Sequence, residues 1–533
     1  MPCTVPVWHR ACLTVLLILI PVFIVRADEG AFQRAEDNAR RARDAWVHCS
    51  RFVDGWLKHA DPRSGLIPRN LTQSLFWNAR DAAADNYPFM VLTASMTDRA
   101  LFAGRLREML RTEQRLTCRL GALPDDFSFA TQHFRTEAID HAAIIFGASE
   151  YAKDGLTPLT EWLGPSAWSE RLVSLLDGIL AESKTPSQVG PLPADSHEVN
   201  GEMMQTLARF YWMNRNEAYR TMAFRIADHY LLHRLPIDED RLSFDDHGCE
   251  VIGGLSEVYY LAAHTDPSRR ERYRDPMHAI LDRALAVGRN ADGYFYNAVN
   301  PKTGKVLRDG LTDNWGYNYN AFLTVADLDD HVPYRQAVSE TLGRLHTVED
   351  YAWEGGGADG YADAIEGAIN LLNRLPSDAG FRWVDERAAI MLAKQRPDGI
   401  IEGWHGDGNY ARTAILYALW KTKGLTIDPW RADVIIGAEH GKDGALRVVI
   451  RSDWPWTGKI LFDRPRHREY LHLPTDYPRL NQFPEWFTAD RDTAYDVQIG
   501  DDDPVRHIGK DLVAGLVMTT KPETPLRITV RQR

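Results

Sequence analysis

Cysteine is scarce in this chain. Its 533 residues hold five, and two of these, Cys3 and Cys12, fall in an apolar N-terminal segment. Cys49, Cys118 and Cys249 remain, too few and too odd a number for a disulfide framework. They leave room for one disulfide, which the sequence cannot choose. Zinc spacings are missing too: there is no Cys pair at ligand spacing and no His-Glu-x-x-His, so no metal or cofactor is expected. No Gly-x-Ser-x-Gly supports a serine nucleophile. Gly355-Gly356-Gly357 lacks the Lys-Ser/Thr that completes a phosphate loop. Positive charge is also short, with 62 Lys and Arg against 74 Asp and Glu and a net charge of -12. That balance offers no basic footprint for nucleic acid.

Long apolar runs are confined to the start. Arg10 precedes an almost unbroken apolar stretch from Ala11 to Val25, and Val25-Arg26-Ala27 fits a small-x-small cleavage site. Residues 1–27 therefore read as a secretory signal peptide, and the mature protein is expected to be secreted or periplasmic. No later segment reaches the roughly 18 apolar residues of a spanning helix, so no membrane is expected after cleavage.

What is abundant is aromatic and acidic. The chain has 16 Trp and 20 Tyr. A short loop of acids, aromatics and glycine recurs, each time followed by a helix of small and apolar residues. It appears as Asp85-Asn86-Tyr87-Pro88, Glu198-Val199-Asn200-Gly201-Glu202 and Asp245-Asp246-His247-Gly248. It returns as Asp313-Asn314-Trp315-Gly316-Tyr317-Asn318-Tyr319, Asp359-Gly360-Tyr361-Ala362-Asp363 and Trp404-His405-Gly406-Asp407-Gly408-Asn409-Tyr410. The spacing suits a helical hairpin with its loops. Between these units lie amphipathic stretches, the first from Ala31 to His59 with Trp46, Cys49, Phe52, Val53 and Trp56 on one face. Residues 28–427 thus read as an α/α toroid of six or seven hairpins with the acidic loops at one mouth. Tyr294-Phe295-Tyr296 and Lys302 to Val306 suggest a small inserted hairpin. From residue 428 to 533 the pattern turns to short alternating strands, including Leu446 to Arg451, Leu512 to Met518 and Leu526 to Val530. They imply a C-terminal β-sandwich.

On these loops and this two-part pattern, the chain resembles the six-hairpin glycosidase superfamily and the α-toroid polysaccharide lyases. The resemblance is architectural and implies a carbohydrate-active enzyme without fixing one family. An oligo- or polysaccharide is the expected partner. Hydrolysis needs two carboxyl groups flanking the bond, and Asp313 and Asp359 lead the candidates, with Asp246 and His247 as a further cluster. An acid at a helix start also caps free N–H groups, so each position has a purely structural alternative. Trp77, Tyr87, Trp315, Tyr317, Tyr319, Tyr361 and Trp404 are candidate sugar platforms. Arg80, Asp85 and Asn200 are candidate substrate contacts. The alternatives are β-elimination on a uronate, with Asn200 as neutraliser, His247 as base and Tyr317 or Tyr319 as acid, and non-catalytic glycan binding.

Overall fold

Apolar residues three and four apart drive the described residues of this chain out and back through fourteen principal helices. In a computed structural model, the backbone is described for residues 11–533 and the side chains from Glu29 onward, His247 excepted. The signal peptide expected over residues 1–27 and the proposed base His247 therefore lie outside the described side chains. No helix among the described residues is long and apolar enough to cross a membrane.

The helices are α1 (Ala11–Lys58), α2 (Tyr87–Thr97), α3 (Arg107–Thr117), α4 (His141–Glu150), α5 (Ala167–Glu182), α6 (His197–Asn214) and α7 (Glu217–Asp228). After them come α8 (Asp246–Thr265), α9 (Pro267–Val287), α10 (Trp315–Asp329), α11 (Val332–Gly343), α12 (Ala358–Arg374), α13 (Asp378–Ala393) and α14 (Gly408–Thr422). The two series differ in burial. In α6 every residue from Val199 to Trp212 is buried, and α12 is buried from Gly360 to Leu372. A helix buried all round belongs inside. By contrast α3 buries Met109, Leu110, Thr112, Glu113 and Thr117 and turns its other face to water. Odd-numbered helices are outer and even-numbered ones inner.

The inner helices form a closed ring. Consecutive members from α4 to α12 pack against one another. Thr413 of α14 donates its hydroxyl to the Ala362 carbonyl of α12 at 3.1 Å. The ring shuts where the Arg412 guanidinium lies 5.6 Å from the ring of Phe89 in α2. Glycine permits the tightest approaches: a Cβ on Gly408 would collide with the Asp85 carbonyl oxygen. The result is an α/α toroid of seven hairpins, the upper of the two expected numbers.

Two inner positions depart from α geometry. A π-helical segment, Ala79–Asn86, leads into α2, and another, Tyr151–Leu156, continues α4. The two segments pack together. Such wide turns are rare and gather at functional sites. The inserted hairpin is present as antiparallel strands Tyr296–Val299 and Val306–Leu311, extended by Leu242–Ser243.

The strands that follow α14 are β1 (Thr426–Asp428), β2 (Val434–His440), β3 (Leu446–Ser452), β4 (Trp456–Leu461), β5 (Ala494–Ile499), β6 (Val505–Ile508), β7 (Leu516–Thr520) and β8 (Leu526–Gln532). They build one antiparallel sheet in the order β2-β3-β8-β5-β6 and a second in the order β7-β4-β1. Val448, Ile450, Ile528 and Val530 from the first sheet share a core with Ile427, Ile460 and Met518 from the second. This is a small sandwich. The strand expected over Leu512 to Met518 is half helix: Gly509–Ala514 is helical, and Gly515 at φ 101° turns the chain into β7.

The expected boundary between residues 427 and 428 is not a single cut. The sandwich unit comprises residues up to Asp44 together with Ala418–Arg464 and Glu485–Arg533. Within it, Asn38 of α1 donates to the Ala438 carbonyl at 3.0 Å and Arg451 pairs with Glu36 at 2.7 Å. The helical unit is Ala45–Tyr417 with Pro465–Pro484. The excursion is held by contacts that composition could not place: Arg479 pairs with Glu161 at 3.0 Å, and the Tyr477 hydroxyl donates to Glu257 at 2.7 Å. Cys49, Cys118 and Cys249 are free thiols.

Candidate active site

All seven inner helices contribute to one cavity of about 280 Å³. Asp81 and Asp85 come from the π segment before α2, and Lys153 and Asp154 from the one after α4. Glu198 and Glu202 open α6, Asp246 and Glu250 open α8, Tyr317 opens α10, Asp359 and Asp363 open α12, and Asn409 and Arg412 open α14. Lys153 and Asp154 are sequence neighbours yet both line the wall, an arrangement the wide π turn permits.

The charge is lopsided. Ten carboxylates line the cavity, counting Glu150, against Arg80, Lys153 and Arg412. Two of those cations are already spent. Lys153 Nζ lies 2.7 Å from Asp154 and 2.5 Å from Glu250. Arg412 donates through Nε to Glu366 at 2.6 Å and through NH2 to Asp363 at 3.2 Å and Tyr317 Oη at 3.1 Å. Asp363 also accepts from Tyr317 Oη at 3.0 Å and Asn314 Nδ2 at 2.9 Å. Arg80 is half exposed, 3.6 Å from Asp81. His405 lies 3.5 Å from Asp85 and 3.7 Å from Asp81.

Carboxylates crowded this way hold protons more tightly. Burial, then the charges of Asp81, Asp154 and Asp359, pushes Asp85 well above the ordinary carboxylate range. Burial and Asp359 raise Asp407 to about 7. Burial, with Asp359, Asp246 and Asp245, raises Glu354 to about 7 as well. Glu354 sits in the turn Trp353–Gly356 at φ 45°. Positive φ is uncommon for a residue with a side chain and costs strain that functional turns often carry.

A second cavity, of about 490 Å³, is lined by Glu354, Asp407 and Lys394 and shares Asp359, Trp404 and His405 with the first. Asp359 therefore stands where two adjoining spaces meet. Its Oδ1 accepts a hydrogen bond from Asn409 Nδ2 at 2.7 Å. Trp404 is 72% exposed at the same junction, with the Arg69 guanidinium 5.0 Å from its ring.

The sequence-based candidates divide. Asp246, Asp359, Arg80, Asp85, Tyr317 and Trp404 all line the cavity. Asp313 does not: it is buried, with Oδ1 accepting the Asn314 N–H at 3.0 Å. Burial and the charges of Glu354, Asp359 and Asp246 drive it toward the neutral form. Trp77, Tyr87, Trp315 and Tyr319 are core residues rather than sugar platforms. Tyr87 donates to the Leu106 carbonyl and accepts from Trp168 Nε1, each at 2.8 Å. Trp315 meets Tyr294 edge-on, and Tyr319 packs on Phe295 and Phe322. Trp77 is buried in a two-residue strand. Asn200 is turned to the Ala194 carbonyl and Tyr230 Oη at 2.9 and 3.2 Å. Tyr361 lies under Lys394 Nζ at 4.7 Å. Glu150, Lys153, Asp154, Glu250, Glu354 and Asn481 were not anticipated. For Glu150, Lys153, Asp154 and Glu250 the signal was charge within inner helices that are otherwise largely apolar; Glu354, in a turn, and Asn481, in the Pro465–Pro484 segment, carried no such signal.

Solved structures similar to this chain include the α-1,6-mannanase GH76A of Salegentibacter sp. HEL1_6, at 9% identity and TM-score 0.40, over 70% of this chain and 98% of that one. A sugar epimerase from a ruminal bacterium matches at 12% identity and TM-score 0.42, over 62% and 98%. The unsaturated glucuronyl hydrolase of Bacillus sp. GL1 matches at 14% identity and TM-score 0.38, over 53% and 86%. No family model matches the chain, and no curated protein is similar to it.

Proposed function

We propose that this protein is a carbohydrate-active enzyme, a glycoside hydrolase that cleaves a neutral oligo- or polysaccharide with Glu354 as general acid and Asp359 as its partner carboxylate. The observation that carries the reading is the meeting of two cavities at Asp359, beneath an exposed tryptophan and beside a glutamate titrating near 7. A general acid works best when its pKa lies near the working pH. Glu354 gives its proton to the glycosidic oxygen as the bond to the anomeric carbon breaks. Asp359 faces the positive charge that develops on the sugar, and a water adds to the anomeric carbon and returns a proton to the carboxylate pair. Trp404 offers a flat apolar surface to pyranose C–H groups, and the carboxylates around the wall accept from hydroxyls.

Electrostatics weigh against the elimination reading. A uronate lyase must neutralise the substrate carboxylate. Here ten carboxylates surround the cavity, Lys153 and Arg412 are each held by two acids, and Asn200 is engaged elsewhere. Among the lining Arg and Lys residues, half-exposed Arg80 alone is left to meet a substrate carboxylate.

The test is a screen of purified protein against neutral and uronic-acid polysaccharides, reading reducing ends and ultraviolet absorbance together. Reducing ends from a neutral glycan without absorbance support hydrolysis. Absorbance rising with reducing ends on a uronate polymer overturns it in favour of elimination. Saturable glycan binding with no product overturns catalysis.

A further inference from the structure

One group of acids takes no part in the proposed proton transfers. Glu150, at the end of α4, meets Glu198 and Glu202, one turn apart on α6. One carboxylate oxygen from each lies within 4.8 Å of the others. All three line the first cavity.

Like charges so close favour a counter-charge among them. Lys153 Nζ is committed to Asp154 and Glu250. Glu202 is 1% exposed, and its Oε2 is buried with no hydrogen-bond partner among the described residues. A buried carboxylate oxygen without a donor is costly, so this atom marks a position for a ligand of positive charge. With one oxygen of each group within 4.8 Å of the others, a point no more than about 2.8 Å from all three exists, a small side-chain adjustment from calcium–oxygen distances of about 2.3–2.6 Å. The donor set is carboxylate only, which selects hard cations over zinc or copper.

We propose that Glu150, Glu198 and Glu202 bind one divalent cation of calcium's size in the wall of the cavity. Three carboxylates fill at most six of the six to eight positions such an ion takes. The rest face the cavity and are left to water or to ligand hydroxyls. A second acidic group, Asp81 with Asp85 and His405, is equally tight. There Asp81 is already satisfied by Arg69 and Asn78, so it serves as the contrast. The proposal does not rest on the glycosidase reading.

The test is calorimetric titration of the full chain, stripped with chelator and dialysed, with CaCl2 and in parallel MgCl2. One calcium site with an affinity tighter than about 1 mM is expected, with a thermal midpoint that rises as CaCl2 is added. Glu202→Gln should weaken calcium binding at least about tenfold, while His405→Gln, in the contrasting group, leaves it within about twofold. Glu150→Gln, on a different helix, repeats the test if Glu202→Gln fails to fold by circular dichroism. Absence of calcium binding up to about 10 mM, or undiminished affinity in a folded Glu202→Gln or Glu150→Gln chain, overturns the assignment. Tighter binding of magnesium than calcium overturns the size class.

Discussion

Asn409 Nδ2 donates to Asp359 Oδ1 at 2.7 Å, joining the first turn of α14 to the first turn of α12. The bond fixes one oxygen of Asp359 and leaves the other for the cavities. If Asp359 acts on the sugar, Asp359→Asn should lower kcat by about 10²–10⁴ with the fold intact. Asn409→Ala removes only the orienting bond and should cost less, about tenfold. Initial rates on the glycan identified by the screen, with circular dichroism as a fold check, decide both. An Asp359→Asn chain that retains most of its rate removes Asp359 from the chemistry.

Glu354 gives a separate reading in pH. With its carboxyl near 7, activity should fall on the alkaline side as the acid loses its proton, and Glu354→Gln should abolish that limb along with most of kcat. Asp359 is the largest charge holding Glu354 up after burial itself. The residual activity of Asp359→Asn should therefore show the alkaline limb at lower pH. A pH–kcat/KM profile of the three chains checks this. An unchanged limb in Glu354→Gln assigns the acid to another group, Asp407 first among them.

Repetition made the toroid legible. Acidic-aromatic loops at hairpin spacing located six of the seven inner helix starts, and the amphipathic stretch from Ala31 to His59 lies on α1, which ends at Lys58. Side-chain direction was not legible. Trp315 and Tyr317 share a loop, yet two residues of helix turn Trp315 into the core and Tyr317 into the cavity. Tyr87 and Asp85 part company in the same way. The charged faces of α4 and α6 were hidden because an inner helix has no wet side to set its charges apart, and a π turn shifts the register by which faces are counted. Glu354 was not legible, because nothing in a glutamate followed by three glycines announces the left-handed turn it occupies or its place in the wall shared with Asp359. Pro465–Pro484 escaped because a strand-rich neighbourhood gives no hint that one segment returns to the helical unit.

Arg412 is buried between Glu366 and Asp363. Removing one partner of such a group leaves an uncompensated charge inside the protein, at about 3–5 kcal/mol. Arg412→Met should therefore lower the thermal midpoint markedly. Glu366→Gln introduced beside it should recover part of the loss by removing one stranded charge. Thermal unfolding of the two single variants and the double variant measures the coupling. Strictly additive losses would mean that the pair is not an energetic unit.

Stability should also decline from weakly acidic to weakly alkaline pH. Burial and neighbouring charge raise Asp407 to about 7 from an ordinary carboxylate value, and Asp85 and Asp313 shift the same way. Between the unfolded and folded values the native state binds more protons than the unfolded chain, so stability falls as pH rises through that window. For Asp407 the window runs from about 4 to about 7. Asp476 acts oppositely. Burial opposes its charge, but Arg374 and Arg479 hold it well below the usual range, so its contribution is lost only as the pH drops beneath the unfolded value. Together these place maximum stability near the low end of the Asp407 window. Thermal midpoints in chelator from pH 4 to 8 should show a downward slope, and Asp407→Asn, which has no proton to lose, should flatten it. A midpoint that climbs toward pH 8 would mean that the cavity acids are ionised and compensated in the native protein.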